Sequence, residues 1–342
     1  MSSAQASEVS VGDPGEPDPP HSRGTGRTRA ILRILITAVL TLLAISVLIF
    51  AAGTFKSPED VARAALGRDA SPEALQAYAE ERGLTDPLPV RYARWLGDFS
   101  RGDLGISLVN DQPVADAVLP RFRNTLILAL VALIIAVPIS IGLGAFMARR
   151  RGSPIDLTLL FTTVVLAALP EFVLGIALIM LFAVQLGWFP VDSTAVTFGT
   201  PWEIAAAYVL PTLTLVLAMV PHISRIARAS ASESLDAPYV ASATLRGLHP
   251  NRVMWDHAMR NAAVPMVNAV ALNVVYLLGG VIVVEQVFAF PGIGQLLVEA
   301  IGNGDATMVL AIAVILGAMF IIISLIADLL AIYFNPRLRA AA

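Results

Sequence analysis

Six stretches of this chain, at 34–53, 124–148, 155–186, 202–222, 262–287 and 307–334, are long and almost free of charge. A bilayer needs about 20 apolar residues of helix to cross it, so each run is long enough to span. The composition agrees: 56% of the 342 residues are hydrophobic and 14% charged, against about 45–50% and about 25% in an ordinary soluble domain. The expected fold is an all-α integral membrane protein with six transmembrane helices. The run at 155–186 is the longest and contains Pro170. It reads either as one tilted, kinked span or as two spans meeting at "LPEF".

The basic residues decide between these and set the orientation, because short cytoplasmic loops hold the Lys/Arg excess. Arg23, Arg27, Arg29 and Arg33 precede the first span, and Arg149, Arg150 and Arg151 follow the second. Arg225, Arg228, Arg246, Arg252 and Arg260 surround the loop after the fourth, and Arg337 and Arg339 end the chain. The connectors near 187–201 and 288–306 contain no Lys or Arg. Six spans put every short basic segment on one side and both base-free connectors on the other, with both termini cytoplasmic. Splitting the third span breaks that partition. The expected organisation is a disordered cytoplasmic tail at 1–29, a first span within 30–55, and an external region at 56–123. A five-helix core at 124–336 with a cytoplasmic loop at 223–261 follows, then a short tail at 337–342. A signal peptide at the start is disfavoured, because the run at 34–53 exceeds the 7–15 residues of a signal h-region. Within the external region, "SPEALQAYAEERG" reads as a helix capped by Ser71 and ended by Gly83.

Several chemistries are missing. The only lysine, Lys56, follows Phe55, so no phosphate-cradling GxxxxGK[ST] loop is encoded. There is no cysteine, and the four histidines, His21, His222, His249 and His257, lack metal-ligand spacing. The net charge of −3 gives no reason to expect a nucleic-acid partner. Ionisable residues inside the spans are few. Glu171 sits beside Pro170 in the third span and Asp328 in the last, while Glu285 and Glu203 lie near external ends where the interface can solvate them. A self-contained carrier or channel would use Glu171 and Asp328 as its ion path.

The loop "YVASATLRGLHPNRVMWDHAMRN" (239–261) is neither a span nor a tight turn. Asp236 can cap a helix with Pro238 in its first turn, and Gly247 suits the left-handed residue that ends one. Pro250 forbids simple continuation. The result is a helix of about ten residues, too short to cross. Two readings stay open: a helix lying on lipid headgroups, or a rigid knob that docks into a groove of a cytoplasmic partner.

"YVASATLRGL" followed by "HAMRNAAVP" resembles the coupling loop of ABC importer permeases, closest to the dipeptide/oligopeptide/nickel transport family. "GGVIVVEQVFAFPGIGQLLVEAI", "DLLAIYFNPRLR", "DPLPVRYARWLGDFSRGDLGISL" and "LPEFVLGIALIMLFAVQLGWFP" are similar to further segments of that family. The chain departs from the family at Ala241 and Thr244, where arginines are usual, at Arg246, where lysine is usual, and at Glu171, often a small hydroxyl residue.

The resemblance implies a non-catalytic permease subunit in a bacterial cytoplasmic membrane, forming half of a pore for di- or oligopeptides or similar small solutes. Its implied partners are a second homologous permease, two cytoplasmic ATPases, an external substrate-binding (lipo)protein and membrane lipid. ATP and Mg²⁺ would be bound by the ATPases and no cofactor by this chain. Tyr239, Val240, Ala243, Arg246, Gly247, His257, Arg260 and Asn261 would couple to the ATPase. Pro170 and Glu171 would lie on the translocation path, and Phe290, Pro291 and Gly292 would face the binding protein.

Overall fold

The computed structural model describes residues 25–53, 57–67 and 70–334. The tail at 1–24, Lys56 and the last eight residues lie outside them, as do the side chains beyond residue 326, Asp328 among them. Among the described residues there is no strand, only an isolated bridge between Ile106 and Pro113. In chain order the helices are α1 (Thr25–Gly53), α2 (Pro58–Leu66), α3 (Pro72–Glu81), α4 (Leu88–Ser100), α5 (Val114–Arg149), α6 (Pro154–Ala168), α7 (Glu171–Leu178) and α8 (Ala195–Phe198). They continue as α9 (Pro201–Leu235), α10 (Pro238–Leu245), α11 (Pro250–Arg252), α12 (Arg260–Val287), α13 (Ile293–Asn303) and α14 (Ala306–Phe334). Two π-helical segments, Ile179–Gln185 and Val253–Met259, extend α7 and join α11 to α12.

One local device starts four of these helices. Ser57, Ser71, Ser153 and Thr200 each precede a proline, and each side chain accepts the amide three residues on. The proline loses nothing there, since its missing N–H would be unsatisfied anyway. Glu203 completes a reciprocal pair by accepting from the Thr200 amide at 2.8 Å.

Among the described residues four helical stretches are long and apolar enough to cross a membrane: Val114–Arg149, Pro201–Leu235, Pro250–Val287 and Ala306–Ile326. Pro154–Ala168 and Glu171–Gln185 form a pair bent by 104°, and α1 carries the shorter apolar stretch Leu35–Ala51. The break falls at "LPEF", but it is far sharper than a tilted, kinked span. Leu169 is extended (φ −87°, ψ 127°), as a residue before proline prefers, and Pro170 follows at φ −60°, ψ 148°.

The two halves nevertheless reach opposite ends of α9. At the start of α6, the Asp156 carboxylate accepts Nε and Nη2 of Arg228, both at 2.7 Å. Just past the second half, the Ser193 hydroxyl donates to the Ala207 carbonyl at 2.8 Å. Arg228 and Ala207 are about six turns apart, roughly 30 Å along the helix. The pair and the loop that follows it thus meet α9 near both of its ends.

The core lies where α5, α9 and α12 meet, around Leu128, Leu210, Leu215, Ile223, Val281 and Phe288. Association in lipid depends on close packing rather than on expelling water, so small residues govern it. Gly144 of α5 shows this: a Cβ there would stand 2.7 Å from the Ser224 carbonyl oxygen of α9.

The connector after α12 is built on Glu285, which is 0% exposed. Burial replaces the solvated position expected from the sequence. Its Oε1 accepts the Thr125 hydroxyl at 2.5 Å, and its Oε2 accepts the amides of Gly294 at 2.7 Å and Gln295 at 3.1 Å. The carboxylate thus covers the open N-terminus of α13, where unpaired amides favour an anion. Thr125 in turn accepts the Ile293 amide at 2.9 Å, and Asn124 donates to the Pro291 carbonyl at 2.9 Å. Gly292 and Gly294 have no alternative here, because a Cβ on either would overlap the carboxylate.

The segment between α1 and α5 folds down onto the same end. Asp305, just ahead of α14, accepts the Ser107 hydroxyl and the amides of Leu108 and Met308. Ser46 of α1 meets the Tyr92 hydroxyl at 2.8 Å, and Phe50 meets the Tyr92 ring edge-on at 5.4 Å.

Two expectations follow. Glu285→Ala should lower stability by on the order of 2–4 kcal/mol, since several buried donors lose their acceptor; thermal unfolding and faster amide exchange at Gly294 and Gln295 measure it. Arg228→Ala, which strands the buried Asp156 carboxylate, should cost about 3–5 kcal/mol. Arg252→Ala, breaking an exposed pair with Asp256 at 3.4 Å, should cost under about 1 kcal/mol in the same assay.

Candidate functional site

The segment from Asp236 to Asn261 joins the arginine-rich ends of α9 and α12. Asp236 does not cap α10, contrary to the expectation from its position. It keeps helical angles (φ −78°, ψ −5°) as the C-cap that closes α9 after Leu235, and its carboxylate accepts Arg151 Nη1 at 2.7 Å. Ala237 occupies the cap position without a side-chain bond, and Pro238 begins the helix as expected. Ser242 and Thr244 turn their hydroxyls back onto the carbonyls of Pro238 and Val240, at 3.0 and 3.1 Å.

Gly247 is left-handed, at φ +75°. Its amide donates to the Thr244 carbonyl at 2.9 Å, and Leu248 donates to that of Ala243 at 3.4 Å. These bonds reverse the chain after eight helical residues, two fewer than the sequence suggests. A Cβ on Gly247 would meet nothing within 4 Å. The requirement for glycine is therefore purely one of backbone angle.

The helix has two unlike faces. Val240 and Ala243 are buried against Val253, with Leu235 and Leu248 packed beside them. They anchor α10 to the π-helical segment and present nothing outward. Outward stand Tyr239 at 44% exposure, Leu245 at 89%, and Arg246. Leu245 was not among the residues expected to act. The signal was available, since it lies five residues beyond Val240 and two beyond Ala243, off their face of the helix.

His257, Arg260 and Asn261 sit one element further on, at the junction of the π segment and α12. The Asn261 amide side chain donates to the His257 carbonyl at 2.9 Å. Arg260 and Asn261 are exposed and His257 is half-buried. Met254, Ala258 and Met259 hold this junction against Ala227 and Ala231 of α9. Among the described residues no hydrogen bond or ion pair links the three to α10.

At mid-bundle, Pro170 caps α7 and Glu171 occupies its first turn, half-buried. The Glu171 side chain lies over Gly280 of α12, where an added Cβ would be 3.5 Å from Oε1. The break thus places one carboxylate where α7, α9 and α12 converge. A cavity of about 820 Å³ among α5, α12 and α14 is different in kind, lined by apolar residues with Thr125 the one polar side chain.

At the opposite end, Phe290, Pro291 and Gly292 are all buried within the chain. They shape the connector around Glu285. In the 186–194 loop on this side, Thr194 donates its amide and hydroxyl to Asp192, holding that carboxyl below its usual range.

Residues 140–340 match the family of binding-protein-dependent transport system inner membrane components, and residues 27–129 match the N-terminal unit of such components. A probable peptide ABC transporter permease, y4tP of Sinorhizobium fredii, is 32% identical over 311 residues, 90% of this chain and 98% of that protein. The oligopeptide transport system permease AppB of Bacillus subtilis is 34% identical over 313 residues, with the same two shares covered. The glutathione transport system permease GsiC of Escherichia coli is 34% identical over 310 residues, again 90% and 98%. Matched along nearly its whole length, the chain belongs to the family of inner-membrane permease components of binding-protein-dependent ABC transport systems.

Proposed function

We propose that this chain forms half of the translocation pore of an ATP-driven importer for short peptides or similar small solutes. The observation that carries this reading is α10: a short rigid helix, stopped by left-handed Gly247 and held between two long spans, with Tyr239, Leu245 and Arg246 turned outward. A helix of that form suits the groove of a cytoplasmic ATPase better than a bilayer surface, since its outward side has one arginine and no stripe of large apolar residues. The names of the relatives, which specify peptide, oligopeptide and glutathione transport, support the substrate class.

In this reading six spans cross, α6 and α7 with its π extension counting as one, and both termini lie with the arginine-rich end in the cytoplasm. Two ATPase subunits bind ATP and Mg²⁺, a homologous permease completes the pore, and an external binding protein delivers the substrate. Closure of the ATPase pair pushes α10. Because Val240, Ala243 and Val253 tie α10 to the base of α12, and Asp236 joins it directly to α9, both long helices move with it. That is a rigid-body switch between inward- and outward-facing states. Glu171, at the break between α6 and α7, gives the path a polar wall. His257, Arg260 and Asn261 brace the lever at the foot of α12, and do so without touching nucleotide.

Gly247→Asp, which forces a side chain into left-handed geometry at a cost of about 1–2 kcal/mol, should leave the chain in the membrane while abolishing substrate-stimulated ATP hydrolysis in vesicles. Leu245→Asp should weaken ATPase co-purification at least tenfold, since burying an exposed leucine is worth about 1.5–3 kcal/mol. Normal coupled transport in both variants would contradict the docking role. Uptake by the purified chain alone in liposomes without ATP would instead identify a self-contained carrier.

A further inference from the structure

A second feature of the arginine-rich end is independent of the docking helix. A groove of about 460 Å³ runs between the end of α5 and the π-helical segment, lined by Gly142, Phe146, Arg149, Arg150, Met254 and Trp255. We propose that it holds an anionic phospholipid of the leaflet on that side, with the phosphate at the two arginines and an acyl chain along Phe146 and Gly142. This rests only on α5 crossing the membrane, and not on what the protein transports.

The charge is uncompensated. Arg151, Arg228 and Arg252 each have a carboxylate, on Asp236, Asp156 and Asp256. Among the described residues Arg149 and Arg150 have none. Arg149 instead donates Nη1 to the neutral Asn251 side chain at 2.6 Å, and the Arg150 guanidinium lies 4.6 Å from the centre of the Phe146 ring. Both contacts orient a cation without neutralising it.

The rest of the groove is apolar and runs along α5 in the direction of the bilayer. From Arg150 to Gly142 is about two turns, roughly 12 Å. Gly142 has no side chain to fill that space, and a Cβ there would meet nothing within 4 Å. Trp255, 51% exposed, lines the same groove, and indoles favour the membrane–water interface. A free phosphate would use only the arginine end. A ligand matching the whole groove is an anion joined to hydrocarbon, and basic grooves between spans on the cytoplasmic side recognise such headgroups.

The test uses the full chain in nanodiscs of phosphatidylcholine containing a minor fraction of lipid with brominated acyl chains, carried either by phosphatidylglycerol or by phosphatidylcholine. Bromine quenches nearby indoles, and the difference from a Trp255→Phe variant isolates Trp255. Brominated phosphatidylglycerol should quench Trp255 several-fold more than brominated phosphatidylcholine. Arg149→Gln/Arg150→Gln should erase that preference, while Arg252→Gln and the charge-keeping Arg150→Lys retain it. Equal quenching by the two lipids in the unmodified chain overturns the proposal without any variant having to fold. So does relief of quenching by inorganic phosphate at constant ionic strength, which would mark a free-anion site. Loss of ATPase co-purification in the Arg149/Arg150 double variant with no lipid preference in the parent would mark a protein interface instead.

Discussion

A backbone that crosses hydrocarbon must satisfy its own amides and carbonyls, and every unusual feature of this chain is a place where it meets that demand by other means. At the 104° break Ala168, Leu169 and Pro170 are exposed on this chain, and only the Glu171 side chain that follows lies over Gly280 of α12. The start of α13 would leave a cluster of amides open beside the core, and the Glu285 carboxylate, carried on a different helix, receives two of them. The two π-helical segments keep their backbone bonded while shifting the register of the side chains.

The same demand explains how a small external push could move a large membrane body. α9 runs unbroken from the base-free end to Leu235, and α10 follows after two residues, Asp236 and Ala237. Buried side chains rather than flexible loops connect α10 to the π segment and so to α12. The Asp156–Arg228 pair then ties the same stretch of α9 to the start of the broken span. The segment around Leu245 thus has stiff connections to α9 and α12, and through α9 to α6, the first half of the broken pair. The arginines along this end fall into two groups. Arg151 and Arg228, paired with Asp236 and Asp156, fasten separate elements to each other, while Arg149 and Arg150 have no carboxylate among the described residues.

What could be read from residue order was whatever depends on neighbours in sequence. Ser71 and Gly83 bound a helix, Gly247 takes a left-handed angle, and Pro170 breaks a span, because each effect is complete within a few residues. The burial of Glu285 was invisible, since its partners are Thr125 and the amides beyond a turn that only the fold brings back. Phe290, Pro291 and Gly292 looked like a loop surface for the same reason. Asp236 failed as a cap because α9 continues to it and Arg151, 85 residues earlier, draws its side chain away. Family resemblance pointed to the segment around α10, yet it could not say which side of the helix faces out. That took the packing of Val240 and Ala243, which left Leu245 on the open side.

The chain has no cysteine, so one introduced at Leu245 would be a unique chemical handle. The direct measurement is the rate at which a water-soluble maleimide modifies Leu245→Cys in the chain alone and in the assembled transporter with its ATPase subunits. Strong protection in the assembly, with cross-linking to an ATPase subunit by a short bifunctional reagent, is the expected result. Equal modification in both states, with no cross-link, would contradict the assignment of α10 as the ATPase dock.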